Sequence, residues 1–132
     1  AGVESINNLS QQREVAALIQ EKLKTKRVLI KGGHFQEEYC TDILLDSDKN
    51  FYEYQSKRID SQNTHGTGCS LSSALACYLA LGYDYKTSVQ RAKEYVYSAI
   101  EHSKDIFSGK GNGNLNHFFN PQKQKFYESN CE

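Results

Sequence analysis

An α/β fold is what this sequence predicts, and three observations carry the expectation. A segment with helical periodicity leads at once into a short apolar burst closed by glycines. Two further β-type segments meet at a polar turn, and the second half pairs a glycine-containing turn with two helical stripes. At 132 residues the chain is long enough for one domain with a hydrophobic core and too short for two ordinary ones.

The first helix is expected over 11–25. Val15, Leu18, Ile19 and Leu23 share one face, Ser10 stands where an N-cap belongs, and Lys22, Lys24 and Lys26 lie near the negative end. Val28-Leu29-Ile30, closed by Lys31-Gly32-Gly33-His34, suits a buried strand of a parallel sheet. Strands at 42–45 and 51–59 flank the polar run Asp46-Ser47-Asp48-Lys49-Asn50, which predicts an antiparallel hairpin, with Tyr52 and Tyr54 serving sheet packing. Leu71, Leu75, Tyr78 and Leu79 form a second helical stripe that ends at Gly82, a suitable C′ residue. Asp84 then opens a third helix whose apolar face is Val89, Ala92, Val96, Ala99 and Ile100, with Ser103 one turn on. Residues 109–114 lack periodicity and read as a loop, and 120–132 as a polar tail holding the one proline. Neither an internal repeat nor a domain linker stands out.

Composition narrows the function classes. Sixteen basic and sixteen acidic residues give a formal net charge of zero, which argues against a nucleic-acid partner or an anionic membrane surface. No apolar run approaches a membrane span and no leader pattern opens the sequence, so a soluble, intracellular, cytoplasmic protein is expected. Cys40, Cys69, Cys77 and Cys131 form no CxxC pair and no metal-ligand spacing with histidine. They read as free thiols, Cys77 as helix packing and Cys131 as part of the tail.

The run Thr64-His65-Gly66-Thr67-Gly68-Cys69-Ser70 places two glycines where a loop becomes a helix. Such a junction can hold an anion, because the first N–H groups of a helix have no intrahelical acceptor and sit at the positive end of its dipole. The alternative is a tight loop with no ligand. Neither the dinucleotide fingerprint nor a P-loop is present. Cys69, in the first turn, stands where an anionic thiol is favoured, so it is a candidate proton acceptor; the plainer reading is a small, readily buried side chain. Cys69 with His65 also permits a thiol-hydrolase reading, although no third orienting group is evident. Lys31, at the C-terminal end of a strand, is placed to meet a nucleotide phosphate, against the commoner solvated lysine. His34 and His65 are either ligand contacts or exposed loop residues.

Taken in order, Val28-Leu29-Ile30-Lys31-Gly32-Gly33-His34, Asp42, Arg58-Ile59, the run from Thr64 to Ala74, Ala92-Lys93-Glu94-Tyr95-Val96, Ala99-Ile100 and the stretch from Gly109 to Phe118 resemble one family. It is the hydroxymethylpyrimidine/phosphomethylpyrimidine kinases of thiamine biosynthesis, enzymes of ribokinase-like fold. The resemblance spans about 10–119, and cysteine after Thr-His-Gly-Thr-Gly together with Lys-Gly-Gly-His is its most specific part. It implies a three-layer αβα sandwich and ATP-dependent phosphorylation, with Mg²⁺, of a small-molecule hydroxymethylpyrimidine and of its monophosphate. It further implies Cys69 as the base, Gly66, Thr67 and Gly68 as the anion hole, and Lys31, Gly33 and Thr67 as ATP-binding residues, with 109–114 near the adenine.

Family members are longer, and this chain matches only their C-terminal half, so residues 1–119 are expected to hold the phosphoryl-transfer half of the site. The pyrimidine contacts belong mostly to the other half. The absence of methionine fits a piece of a longer protein, and removal of an initiator before Ala1 would give the same sequence. Uncovered sheet edges and apolar surface then predict a homo-oligomer or a complementing N-terminal half. Two other outcomes stay open at this point: a non-catalytic nucleotide-binding or interaction fragment, and a kinase acting on pyridoxal-type compounds.

Overall fold

The computed structural model describes residues 6–32, 38–61, 64–104, 106 and 113–122. Elements run α1 (Leu9–Leu23), β1 (Val28–Ile30), β2 (Tyr39–Leu45), β3 (Phe51–Lys57), α2 (Thr67–Ala80) and α3 (Tyr85–Glu101). The strands form one sheet in the order β1-β2-β3. Gly33, His34 and Cys131 lie outside the described residues, as does most of 109–114.

Side-chain alternation along the strands separates two apolar layers. Val28 and Leu45 pack with Ala16, Ile19 and Ile30 against α1, whereas Leu29 joins Leu71, Ala92, Val96 and Ile100 from α2 and α3. Helices therefore cover both faces of the sheet, giving the expected αβα layering. β2 is buried from Thr41 to Leu45 because it is the middle strand under both layers.

Strand direction departs from expectation. β1 pairs antiparallel with β2, Val28 opposite Leu45 and Ile30 opposite Ile43, where a parallel neighbour was predicted. A continuous apolar run reports burial on two faces, and that condition is met here without any parallel partner among the described strands. The hairpin of β2 and β3 is as predicted, with Asp42 opposite Tyr54 and Leu45 opposite Phe51. Its turn is tied by Asp46, whose carboxylate accepts the N–H groups of Asp48 and Asn50 at 2.8 and 2.9 Å. β3 alternates half-buried with exposed residues and carries Glu53 and Lys57 outward, a charge pattern that discourages pairing at an edge.

Helix α1 starts two residues before its predicted position. Asn8, extended at φ −154°, caps it by accepting the Gln11 N–H at 2.9 Å, so Ser10 lies inside the helix. Its inner face is also rotated from the predicted one: Gln12, Val15, Ala16 and Gln20 are buried, while Leu23 is 72% exposed. The two glutamines enter because their amides find backbone acceptors, Gln12 at Thr41 O and Gln20 at Lys26 O and Asp46 O.

α2 ends as predicted. Gly82 takes φ +85°, its N–H donates to Leu79 O at 3.0 Å and that of Tyr83 to Tyr78 O at 3.2 Å, the paired bonds of a Schellman ending. Cys77, expected to pack, is exposed on α2. Asp84 caps α3 by accepting the Thr87 N–H and hydroxyl, both at 2.9 Å. Those bonds, the backbone one first, hold its carboxyl below the usual 3.8. The cap therefore stabilises the fold fully at neutral pH and loses its effect as pH falls through that depressed value. Asp84→Ala is expected to lower the melting temperature at pH 7 and to match the parent well below pH 3.8, as thermal melts across pH would show.

Candidate active site

The chain leaving β1 sets the first half of the site. Gly32 crosses β2 so closely that a Cβ there would stand 1.9 Å from the Thr41 carbonyl oxygen, a position only glycine can occupy. Its N–H donates to Asp42 Oδ1 at 2.9 Å. Asp42 is itself held from α3, where Lys93 Nζ donates to Asp42 Oδ2 at 2.6 Å and to Cys40 O at 3.2 Å. With side-chain exposures of 12% and 8%, Lys93 and Asp42 form a buried ion pair, so this lysine's charge is neutralised before any ligand arrives. The strut Lys93–Asp42–Gly32 fixes the backbone that carries Lys31. Gly32→Ala is expected to lower stability by the upper end of the about 1–3 kcal/mol typical of overpacking, measurable by urea denaturation.

The second half is the start of α2. Gly66 takes φ +83° as N-cap and supplies no side chain, and the first bond of the helix runs from Ser70 N to Gly66 O at 2.9 Å. The N–H groups of Gly68 and Cys69 precede that bond and lack an acceptor within the helix. Lys31 Nζ lies beside this opening, 3.8 Å from where a Gly68 Cβ would be. An ammonium and the positive end of a helix therefore converge on one point, which favours an anion over any neutral group. A groove of about 700 Å³ opens there, lined by Lys31, Thr64 and Thr67 and by the apolar Leu71, Val96 and Ile100. Its size and its mix of apolar wall with a few polar groups suit a small-molecule ligand.

Cys69 is exposed and lines a neighbouring slot with Ser73, Cys77, Tyr78, Tyr95 and His117. Lys31, Gly66, Thr67, Gly68 and Cys69 are thus brought to one helix start. His65 enters through a backbone bridge to Asn114, and the ring that reaches the first turn is that of His117, which meets Ser70 Oγ at 3.4 Å. The pairing of Cys69 with His65 has no support in this arrangement. Sequence reading gave no role to Asp42, Lys93 or His117. Asp42 and Lys93 are separated by 51 residues and Ser70 and His117 by 47, so no local spacing signals either contact.

An αβα layer structure with a lysine facing a glycine-opened, uncapped helix start is an arrangement of the ribokinase-like class of fold. The chain belongs to the phosphomethylpyrimidine kinase family, whose family model matches residues 1–116. It is 38% identical over 120 residues to the hydroxymethylpyrimidine/phosphomethylpyrimidine kinase of Haemophilus influenzae, covering 89% of this chain and 43% of that protein. A probable thiamine biosynthetic bifunctional enzyme of rice, described as chloroplastic, is 43% identical over 117 residues, 87% of this chain and 21% of that protein. Among solved structures, the pyridoxal kinase of Staphylococcus aureus matches with a TM-score of 0.76 at 29% identity, covering 86% of this chain and 41% of that one. The pyridoxal kinase of Bacillus subtilis, in an ADP complex, matches with a TM-score of 0.76 at 30% identity over 88% of this chain and 44% of that one. The chain spans less than half the length of each of these relatives. No helix among the described residues is long and apolar enough to cross a membrane.

Proposed function

We propose that this chain supplies the phosphoryl-transfer half of an ATP-dependent kinase that phosphorylates hydroxymethylpyrimidine and then its monophosphate. The observation that carries the reading is the convergence of the Lys31 ammonium and the uncapped N–H groups of α2 on one point, where charge develops on a transferring phosphoryl group. In this reading the substrate hydroxyl gives its proton to the Cys69 sulfur while its oxygen bonds to the γ-phosphorus. The bond from that phosphorus to the bridging oxygen breaks, and ADP leaves. Gly66, Thr67 and Gly68 form the anion hole, and Lys31, Gly33 and Thr67 are the residues assigned to the ATP phosphates. The described residues bring together no three side chains able to hold a metal ion. Mg²⁺, carried on the nucleotide phosphates, would neutralise their charge.

Binding of ADP to this chain, followed by calorimetry, tests the reading. Lys31→Ala is expected to weaken it by about tenfold or more, the loss of one charge-assisted contact. Equal affinity in the variant would remove Lys31 from the nucleotide site. Pyridoxal is a second substrate to assay, favoured by the likeness to the two bacterial pyridoxal kinases.

The same reading calls for a complementing N-terminal half. α2 has no charged residue from Thr67 to Ala80, yet Leu71 alone is buried, and Ser72, Ser73, Ala76, Cys77 and Ala80 face outward. A helix apolar or small on every side belongs inside a protein. Without that half, self-association through this face is expected. Ala76→Lys should shift the chain toward monomer in sedimentation velocity, and an unchanged distribution would exclude the face.

A further inference from the structure

Two contacts of the last described segment bracket the anion-binding turn. On one side Asn114 bridges His65, the residue before Gly66; on the other, His117 meets Ser70, the residue after Cys69. The segment is itself anchored. Leu115 is buried, Asn116 N–H donates to Ala99 O at 3.2 Å, and the His117 ring stacks at 6.0 Å on Tyr95 of α3. The Tyr95 hydroxyl and His117 Nδ1 are 2.9 Å apart. In the tautomer that carries its proton on Nε2, His117 accepts the Tyr95 hydroxyl at Nδ1 and donates Nε2–H to Ser70 Oγ. The chain Tyr95–His117–Ser70 thus ties the first turn of α2 to α3, in a helix start that has no side-chain cap of its own.

We propose that residues 113–117 clamp the anion-binding turn in its open geometry, with His117 a positioning residue that acts through Ser70. The expected consequence for the site rests on the phosphate-binding reading above. Its physical basis is that a helix start with free N–H groups binds an anion well only when held in place beforehand.

Hydrogen exchange at the Ser70 and Leu71 amides of the whole chain, with ADP calorimetry on the same samples, tests the clamp. His117→Ala is expected to speed exchange at those amides about fivefold, the worth of one hydrogen bond, while amides in the middle of α3 keep their protection. ADP affinity should fall by a similar factor, about fivefold, and His117→Gln, which keeps an N–H for Ser70, should restore both readings. Tyr95→Phe, which removes only the hydroxyl, should reproduce the local change in smaller degree. Unchanged protection at Ser70 and Leu71 in His117→Ala and Tyr95→Phe, or failure of His117→Gln to restore it, overturns the clamp. Faster local exchange in a chain that does not bind ADP would instead overturn the phosphate-site reading and leave the clamp standing.

Discussion

Asp42→Ala is expected to cost about 3–5 kcal/mol, the effect of leaving one partner of a buried ion pair without the other. Asp42 serves two groups at once, the ammonium of Lys93 and the N–H of Gly32. Its loss strands a charge and a backbone donor in the same buried place. Against the about 5–15 kcal/mol that holds a typical domain together, this is a large share, and urea titration should show a much earlier midpoint. The double variant Asp42→Ala/Lys93→Met should recover much of the loss, because the uncompensated charge is gone. No recovery would mean that the Gly32 contact, not the ion pair, dominates. In either case Lys31 loses the strut that places it, so ADP binding in the surviving folded fraction should weaken as well.

The second large effect concerns Cys69. In a chimera where this chain replaces the part of the Haemophilus influenzae kinase that it matches, Cys69→Ala is expected to reduce turnover by about 10²–10⁴-fold, the usual contribution of a positioned base. Nucleotide affinity should stay close to that of the parent chimera, because the proposed site assigns the anion to backbone N–H groups and Lys31. Full turnover in the variant would move the base role elsewhere while leaving the family and fold unchanged.

The parts of this fold that were legible in the sequence are those written in local chemistry. Gly82 and Asp84 mark the end of one helix and the start of the next, since each works through bonds within five residues. The Asp46 to Asn50 turn was legible for the same reason. The apolar burst Val28 to Ile30 announced a strand, but its antiparallel pairing was hidden, because two-sided burial gives the same pattern in either direction. The inner face of α1 was misread because Gln12 and Gln20 are polar by type and buried by partnership, their acceptors lying as many as 29 and 26 residues away. In the site, the Gly66 to Cys69 turn and Lys31 carried their own signal. That Lys31 reaches Gly68, that Lys93 holds Asp42, and that His117 holds Ser70 are facts of tertiary folding, and no spacing along the chain encodes them.

ATP-dependent phosphorylation of hydroxymethylpyrimidine by that same chimera tests the central claim most directly. If this chain carries the phosphoryl-transfer half of the site, the folded chimera forms the monophosphate and then the diphosphate, and Lys31→Ala in it sharply lowers turnover. A folded chimera that binds the pyrimidine yet transfers no phosphate would contradict the account.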